Sequence, residues 1–178
     1  QDGAGHASII DNTYTLVVDK GHVLAPDGGR IDASGSVMRI PDLRLVPAPA
    51  EVTLKTHSSI TAALSLLDQP PFEFMKKAGQ KVNIANGQAT LETELKLNLT
   101  KKILPGDVSY AVKGTLSDVL SDRIVPARTI AAEKLMVTAD PTGISISGQV
   151  TFDGIPADVT WRQKFGPEWR GKSSVTGT

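Results

Sequence analysis

The sequence contains no cysteine in its 178 residues. Disulfide staples, thiolate nucleophiles and cysteine-held metals are thereby excluded. A chain without thiols also suits an oxidising compartment, where it has nothing to mispair. Aromatic residues make up only 4% of the chain, so large rings are too few to fill a closed interior. Charge of one sign is lacking too: 19 basic and 19 acidic residues balance, and no Lys/Arg block is longer than two. That excludes the basic stripe of a nucleic-acid binder and a polybasic membrane anchor. No apolar run approaches the ~20 residues of a membrane-spanning helix. The chain opens at Gln1 without Met or a signal peptide and closes in a strand-like stretch, residues 169–176. Both ends lead us to expect a piece of a longer protein.

What the sequence has is alternation. Ile144, Ile146, Gly148, Val150 and Phe152 alternate with Ser145, Ser147, Gln149 and Thr151. The same period of two runs through residues 89–99, 108–116 and 157–162. Successive strand side chains point to opposite faces, so each stretch has one apolar and one polar side. This is the pattern of an antiparallel sheet, since buried parallel strands read as continuous apolar runs. The predicted fold is mainly β: an antiparallel, strongly twisted or curved sheet forming an open groove or half-barrel. A compact fold of this length would bury roughly 70% of its unfolded surface.

Turn chemistry supports the strand reading. Asp153-Gly154 suits a tight hairpin turn. Asp140-Pro141-Thr142-Gly143 separates two alternating runs, and Asp27-Gly28-Gly29 separates residues 14–24 from 30–40. Asp19-Lys20-Gly21 reads as a short turn or bulge. Pro41, Pro47 and Pro49 leave residues 42–46 as at best a short edge strand. Residues 118–130, with Pro126, read as a loop or poor strand. Ser58 or Ser59 can cap a helix with Ile60, Ala63, Leu64 and Leu67 on its apolar side. A second short helix is expected over residues 72–78, with Pro71 in its first turn and Gly79 closing it. The resulting organisation is one continuous module. N-terminal strands (1–57, five of them) and C-terminal strands (80–178, five or six) flank a helical flap (58–79).

No reaction centre stands out. His6, His22 and His57 are far apart and in no ligand spacing, so neither a metal nor a cofactor is expected. No H-E-x-x-H, G-x-S-x-G or Gly-rich phosphate loop occurs. Glu92 and Glu94 share one strand face, whereas a glycosidase pair needs two carboxylates facing across a cleft; a solvated face explains them. Trp161 and Trp169 flank a basic segment, but packing at a sheet end explains them better than base stacking. We expect no enzyme.

Three segments resemble a known family. Residues 143–166 carry Gly148, Gly154, Pro156, Trp161 and Phe165-Gly166. This stretch resembles the strand–turn–strand segment of the large AsmA-like proteins of the YhdP type, which are related to TamB-like proteins. Residues 60–72 with Lys76 and Gly79 resemble the helical element of that family, and residues 86–99 its following strand. Order and spacing are shared from residue 60 to 166. The resemblance implies the periplasmic portion of an inner-membrane-anchored bacterial protein. It further implies a long curved sheet that moves phospholipid, or another acyl-chain lipid, between inner and outer membranes. The family has no catalytic motif to transfer.

Combined with the alternation, the resemblance makes the apolar strand face the expected site. The candidate lipid-facing residues are Leu91, Leu95, Leu97, Val108, Tyr110, Val112, Ile144, Ile146, Val150 and Val159. Some of them must contact the helical flap instead. The rival expectation is a structural or scaffold β-module of the envelope, with the same sheet folded shut and partner proteins held on its surface.

Overall fold

The computed structural model describes residues 3–69, 73–169 and 171–178. More than half of the chain is strand, in one antiparallel sheet that does not close into a barrel. The alternating runs therefore form the sheet that their period predicts.

The sheet is built by hairpins in chain order. Strands β1 (Ala4–Ile10) and β2 (Thr13–Lys20) are joined at Asp11-Asn12. Both turn residues have positive φ, 48° and 63°, as a two-residue hairpin turn requires. Strands β3 (His22–Leu24) and β4 (Arg30–Asp32) form the tip of the next hairpin, and β5 (Val37–Ile40) returns beside β2. Gly21 and residues 33–36 break this hairpin into two pieces, so the predicted run over 30–40 is two strands. Then come β6 (Ala48–Ser59), β7 (Asn86–Leu99), β8 (Ser109–Ser121), β9 (Ile130–Asp140), β10 (Gly143–Phe152), β11 (Ile155–Lys164) and β12 (Ser173–Gly177). The order across the sheet is β1-β2-β5-β6-β7-β8-β9-β10-β11-β12, with β3 and β4 off this path. Six strands precede the flap, where five were expected.

Several expected boundaries move. Residues 42–46 form no strand; a cis Val46–Pro47 bond leads directly into β6. Pro49 lies inside β6, opposite Asn98. Strand β8 continues past Asp118 to Ser121, so the loop after it is residues 122–129. Trp169 ends a single 3-10 turn (Pro167–Trp169), and the last strand starts only at Ser173.

The flap forms as two short helices. Helix α1 (Ile60–Leu67) is capped by Ser59, whose Oγ accepts from the Ala62 N–H. Helix α2 (Phe74–Lys77) is followed by Gly79 at φ 67°. The expected start at Pro71 and Phe72 lies outside the described residues. Of the four expected apolar positions of α1, Ile60, Ala63 and Leu64 pack on the sheet and Leu67 does not. Leu67 is 43% exposed, and the buried residues are Ile60, Ala62 and Ser65. The reason is that α1 docks on two partners at once. Ile60, Ala63 and Leu64 face the sheet, while Ser65 faces the β3–β4 turn. The Ser65 hydroxyl donates to the Asp27 carbonyl (2.8 Å) and accepts from its N–H (3.2 Å).

The core is small. Beneath α1, Ile60, Ala85, Ala89, Val119, Ile130, Ala132, Leu135 and Val150 pack together. Alanines at three neighbouring positions, Ala85, Ala89 and Ala132, let α1 approach the strands closely. Among the described apolar residues outside this cluster, only Ile31, Ile40, Ala50, Ala62 and Val137 are buried. The molecule exposes 11,337 Å², against about 8,300 Å² for a compact protein of this mass. It therefore buries roughly 58% of its unfolded surface instead of the expected ~70%.

Ser65→Ala leaves both backbone groups of Asp27 without their partner. We expect a loss of about 1–3 kcal/mol in urea unfolding. A loss below about 0.5 kcal/mol would mean that this contact does not hold α1.

Candidate functional site

Register places the apolar positions of neighbouring strands directly opposite one another. From β6 to β7 the pairs are Ala50–Leu97, Val52–Leu95, Thr56–Leu91 and Ser58–Ala89. Leu95 lies opposite Tyr110, Thr93 opposite Val112 and Ala89 opposite Leu116. Val112 meets Ala139, and Leu116 meets Leu135. Ile146 then faces Val137 on one side and Trp161 on the other. On the N-terminal side the row runs through Met38, Leu16 and Ala7. Directly opposed residues in an antiparallel pair share a face. One apolar face therefore extends without a flip from β1 to β12.

The face survives three irregularities that align across the sheet. Gly87 has φ 128° and shifts the β7–β8 register. Asp118 has φ 53°, and Gly148, at φ 151°, coincides with a shift between β9 and β10. A side chain on Gly87 would meet the Ser117 carbonyl at 2.7 Å and Ile60 at 3.0 Å. Along this line the inward residues step by three, from Leu116 to Val119 and from Leu135 to Ala132, while Glu133 and Lys134 both face solvent. Bulged strands bend and twist more strongly. The crease lies where α1 docks.

The crease and α1 divide the ten candidate residues. Val150 is buried in the cluster under α1, and Leu91, Ile146 and Val159 pack against that cluster. These four belong to the packed part of the face. Leu95, Leu97, Tyr110, Val112 and Ile144 lie on the same face beyond the cluster and are half-buried. Val108 is half-buried too, but it precedes β8 and has no strand partner. Helix α2 reaches the far end of β11, where the Phe74 and Phe165 rings are 5.6 Å apart. Phe74 was not singled out from the sequence, and Phe165 only as part of the resemblance; the odd-numbered row Ala157, Val159, Trp161 extends to Phe165 and carried that signal.

The opposite face is polar and paired across strands. Glu92 meets Lys113 at 2.9 Å, and Arg39 meets Glu51 at 3.5 Å. His57 Nδ1 lies 2.9 Å from Thr90 Oγ1. His6 pairs with Asp19 at 3.0 Å. His22 Nδ1 is buried without a partner, in a polar hollow lined by Asp19, Lys20, Arg30, Asp32 and Ser34. A shallow depression near the ends of β8–β12 is lined by Asp140, Arg162, Lys164 and Trp169, with Lys164 Nζ 4.4 Å from the Trp169 ring. Among the described residues no group of three or more His, Asp or Glu is placed to hold a metal ion. No helix among them is long and apolar enough to cross a membrane.

Five carboxylates are held below their usual range. A hydrogen bond from the Arg44 guanidinium brings Asp42 to about 2. The Lys113 ammonium lowers Glu92, and the Ser34 and Thr142 hydrogen bonds lower Asp32 and Asp140. The Thr129 N–H and then Arg128 lower Asp153. Burial raises the Tyr110 phenol, and the nearby Asp140 charge adds to the effect.

Comparison with protein-family models, curated proteins and solved structures gives no match for this chain.

Two measurements check this geometry. Ile146→Asp places a charge on the packed face and should cost about 2–4 kcal/mol. Ser147→Asp, on the polar face, should stay within about 0.5 kcal/mol; equal losses would invert the face assignment. The lowered carboxylates stabilise the fold while ionised. That contribution is complete above their ordinary values of 3.8 and 4.5 and is lost as pH falls through the folded values. The thermal midpoint should therefore be flat from neutral pH to about 5 and fall towards pH 2. None of the five is buried, so the fall should be shallow; a midpoint that rises on acidification would contradict it.

Proposed function

We propose that this chain is one stretch of a β-groove that carries phospholipid acyl chains between the inner and outer bacterial membranes. The observation that supports this most is the unflipped apolar face across ten strands, covered by helix over one part and left half-exposed over the rest. Leu, Ile and Val dominate it, and such side chains contact an acyl chain without directional bonds, so the chain can slide. An acyl chain of roughly fifteen methylenes costs about 12 kcal/mol to hold in water, at ~0.8 kcal/mol each. An apolar trough removes most of that cost along the path. A strand of about eight residues spans roughly 26 Å, enough to lie along such a chain. The polar groups of the lipid stay in water at the rim. The resemblance of residues 60–166 to AsmA-like envelope proteins points to the same cargo and to the periplasm.

The packed cluster under α1 favours a second reading, a scaffold module whose face is closed by its own flap and whose surface holds partner proteins. The two differ in what occupies Leu95, Leu97, Tyr110, Val112 and Ile144.

Purified from bacterial membranes, or incubated with phosphatidylethanolamine–phosphatidylglycerol vesicles, the chain should carry phospholipid detectable by native mass spectrometry. Leu95→Glu together with Val112→Glu should reduce that load at least about tenfold, the scale expected for losing more than 1.4 kcal/mol of contact. Lipid-free wild-type protein under both conditions would favour the scaffold.

A further inference from the structure

We infer that the depression over the ends of β8–β12 binds the phosphate ester of a small polyol. Register shows how it is built. Arg162 lies opposite Ser145 on one side and Ser174 on the other, and Ser145 lies opposite Thr138. Two residues nearer the strand ends, Gly143 separates Asp140 from Lys164. Directly opposed residues share a face, so both rows belong to the polar face. The inference therefore stands apart from whatever the apolar face carries. Ala111, Gly143 and Ser145 are small, whereas Arg162, Lys164 and Trp169 are long. That difference in size leaves a depression of about 620 Å³.

Its charge is unbalanced. Elsewhere on this face Glu92 meets Lys113 and Arg39 meets Glu51, but Arg162 has serines opposite it on both neighbouring strands. Lys172 lines the depression too. Among the described residues Arg162, Lys164 and Lys172 make no ion pair. Asp140 is the one carboxylate among the described lining residues. Its Oδ1 already accepts from the Thr142 N–H (2.7 Å), the Thr142 hydroxyl and the Gly143 N–H (3.2 Å). Three cations against one occupied carboxylate favour an anion. Guanidinium, ammonium and hydroxyl donors together suit an anion with several oxygens, as a phosphate has.

The wall beside these cations is held in place. Gln163 Nε2 donates to the Lys164 carbonyl (2.7 Å) and to the Trp169 carbonyl (2.9 Å). The Lys172 N–H donates to the same Trp169 carbonyl (3.0 Å). Trp169 is thereby fixed beside Lys164, whose Nζ lies 4.4 Å from the ring centre. A bare phosphate would fill little of the depression, whose volume falls in the range of about 300–1,000 Å³ typical of small organic ligands. The Trp169 ring offers a flat apolar surface to the polyol carbons. The hydroxyls of Thr138, Ser145 and Ser174 can donate to and accept from those of the polyol.

Amide NMR titration of the 178-residue chain with glycerol phosphate, in about 0.1 M salt to screen loose attraction, tests this. Saturable shifts should centre on residues 142–145, 162–164 and the Trp169 indole. Glycerol should give none, and inorganic phosphate should bind at least about tenfold more weakly. Arg162→Gln with Lys172→Gln should weaken glycerol phosphate at least about tenfold. Lys101→Gln with Lys102→Gln removes the same charge from the β7–β8 loop and should change nothing. Ser174→Glu keeps every cation but gives Arg162 a carboxylate opposite it, and should also abolish binding. Sedimentation with phosphatidylglycerol vesicles identifies the source of the ester. Co-sedimentation lost in the Arg162/Lys172 pair and kept in the Lys101/Lys102 pair makes it a lipid headgroup; any other pattern leaves the free ester. Absence of saturable shifts, inorganic phosphate bound as tightly, or site variants that bind like the Lys101/Lys102 pair would each overturn the inference.

Discussion

The structure depends on backbone pairing in a sheet that has no second layer. A β-sandwich or barrel is held by side chains meeting across an interior. Here the long strands β6, β7, β8 and β9 are held mainly by one another, and β6 pairs with β7 in unbroken register from Ala48–Leu99 to Ser59–Gln88. Among the described residues the tightly packed cluster is the one under α1. Among the described residues no large side chain is completely enclosed; the largest residue below 2% exposure is Ser65. The surface excess follows directly, because one layer of strands exposes what a second layer would cover.

Such a sheet tolerates little slippage. Moving β7 by one residue against β6 would carry Glu92, Glu94 and Lys96 onto the apolar face. The cross-strand pairs Glu92–Lys113 and Arg39–Glu51 lie on the polar face and are each worth little at solvent exposure. Their value is in matching one register and no other, which is what keeps the apolar row continuous.

The strand face was legible in the sequence because its period is local. Nine of the ten candidate residues lie on strands and share one face, as their alternation predicts. The tenth, Val108, continues the same alternation but falls just before β8 begins. The Asp153-Gly154 turn was legible for the same reason, since its two positive φ angles, 51° and 88°, belong to the residues themselves. What required the tertiary structure was set between elements. Ser65 is buried and Leu67 exposed because α1 answers to the β3–β4 turn as well as to the sheet. The division of the candidates between the packed and the half-exposed parts of the face follows from the crease. Its residues Gly87, Asp118 and Gly148 show no common pattern until the strands are laid side by side. Residues 118–121 read as loop because Asp118 interrupts the alternation, yet the interruption is itself the step that keeps Val119 on the inner side.

The crease also explains why covered and open regions coexist on one face. A regular sheet bearing one eight-residue helix would present a single flat apolar surface with the helix lying anywhere along it. The bulges bend the strands at one end, and small residues (Ala85, Ala89, Ala132) line that end. A helix presenting Ile60 and Ala63 packs closely there. Beyond the crease the inner positions enlarge to Leu95, Leu97, Tyr110 and Ile144. A helix backbone cannot come as near to such side chains, so the chain's own helix leaves them half-exposed. The chain's own helix therefore covers one part of the apolar face and leaves the other half-exposed.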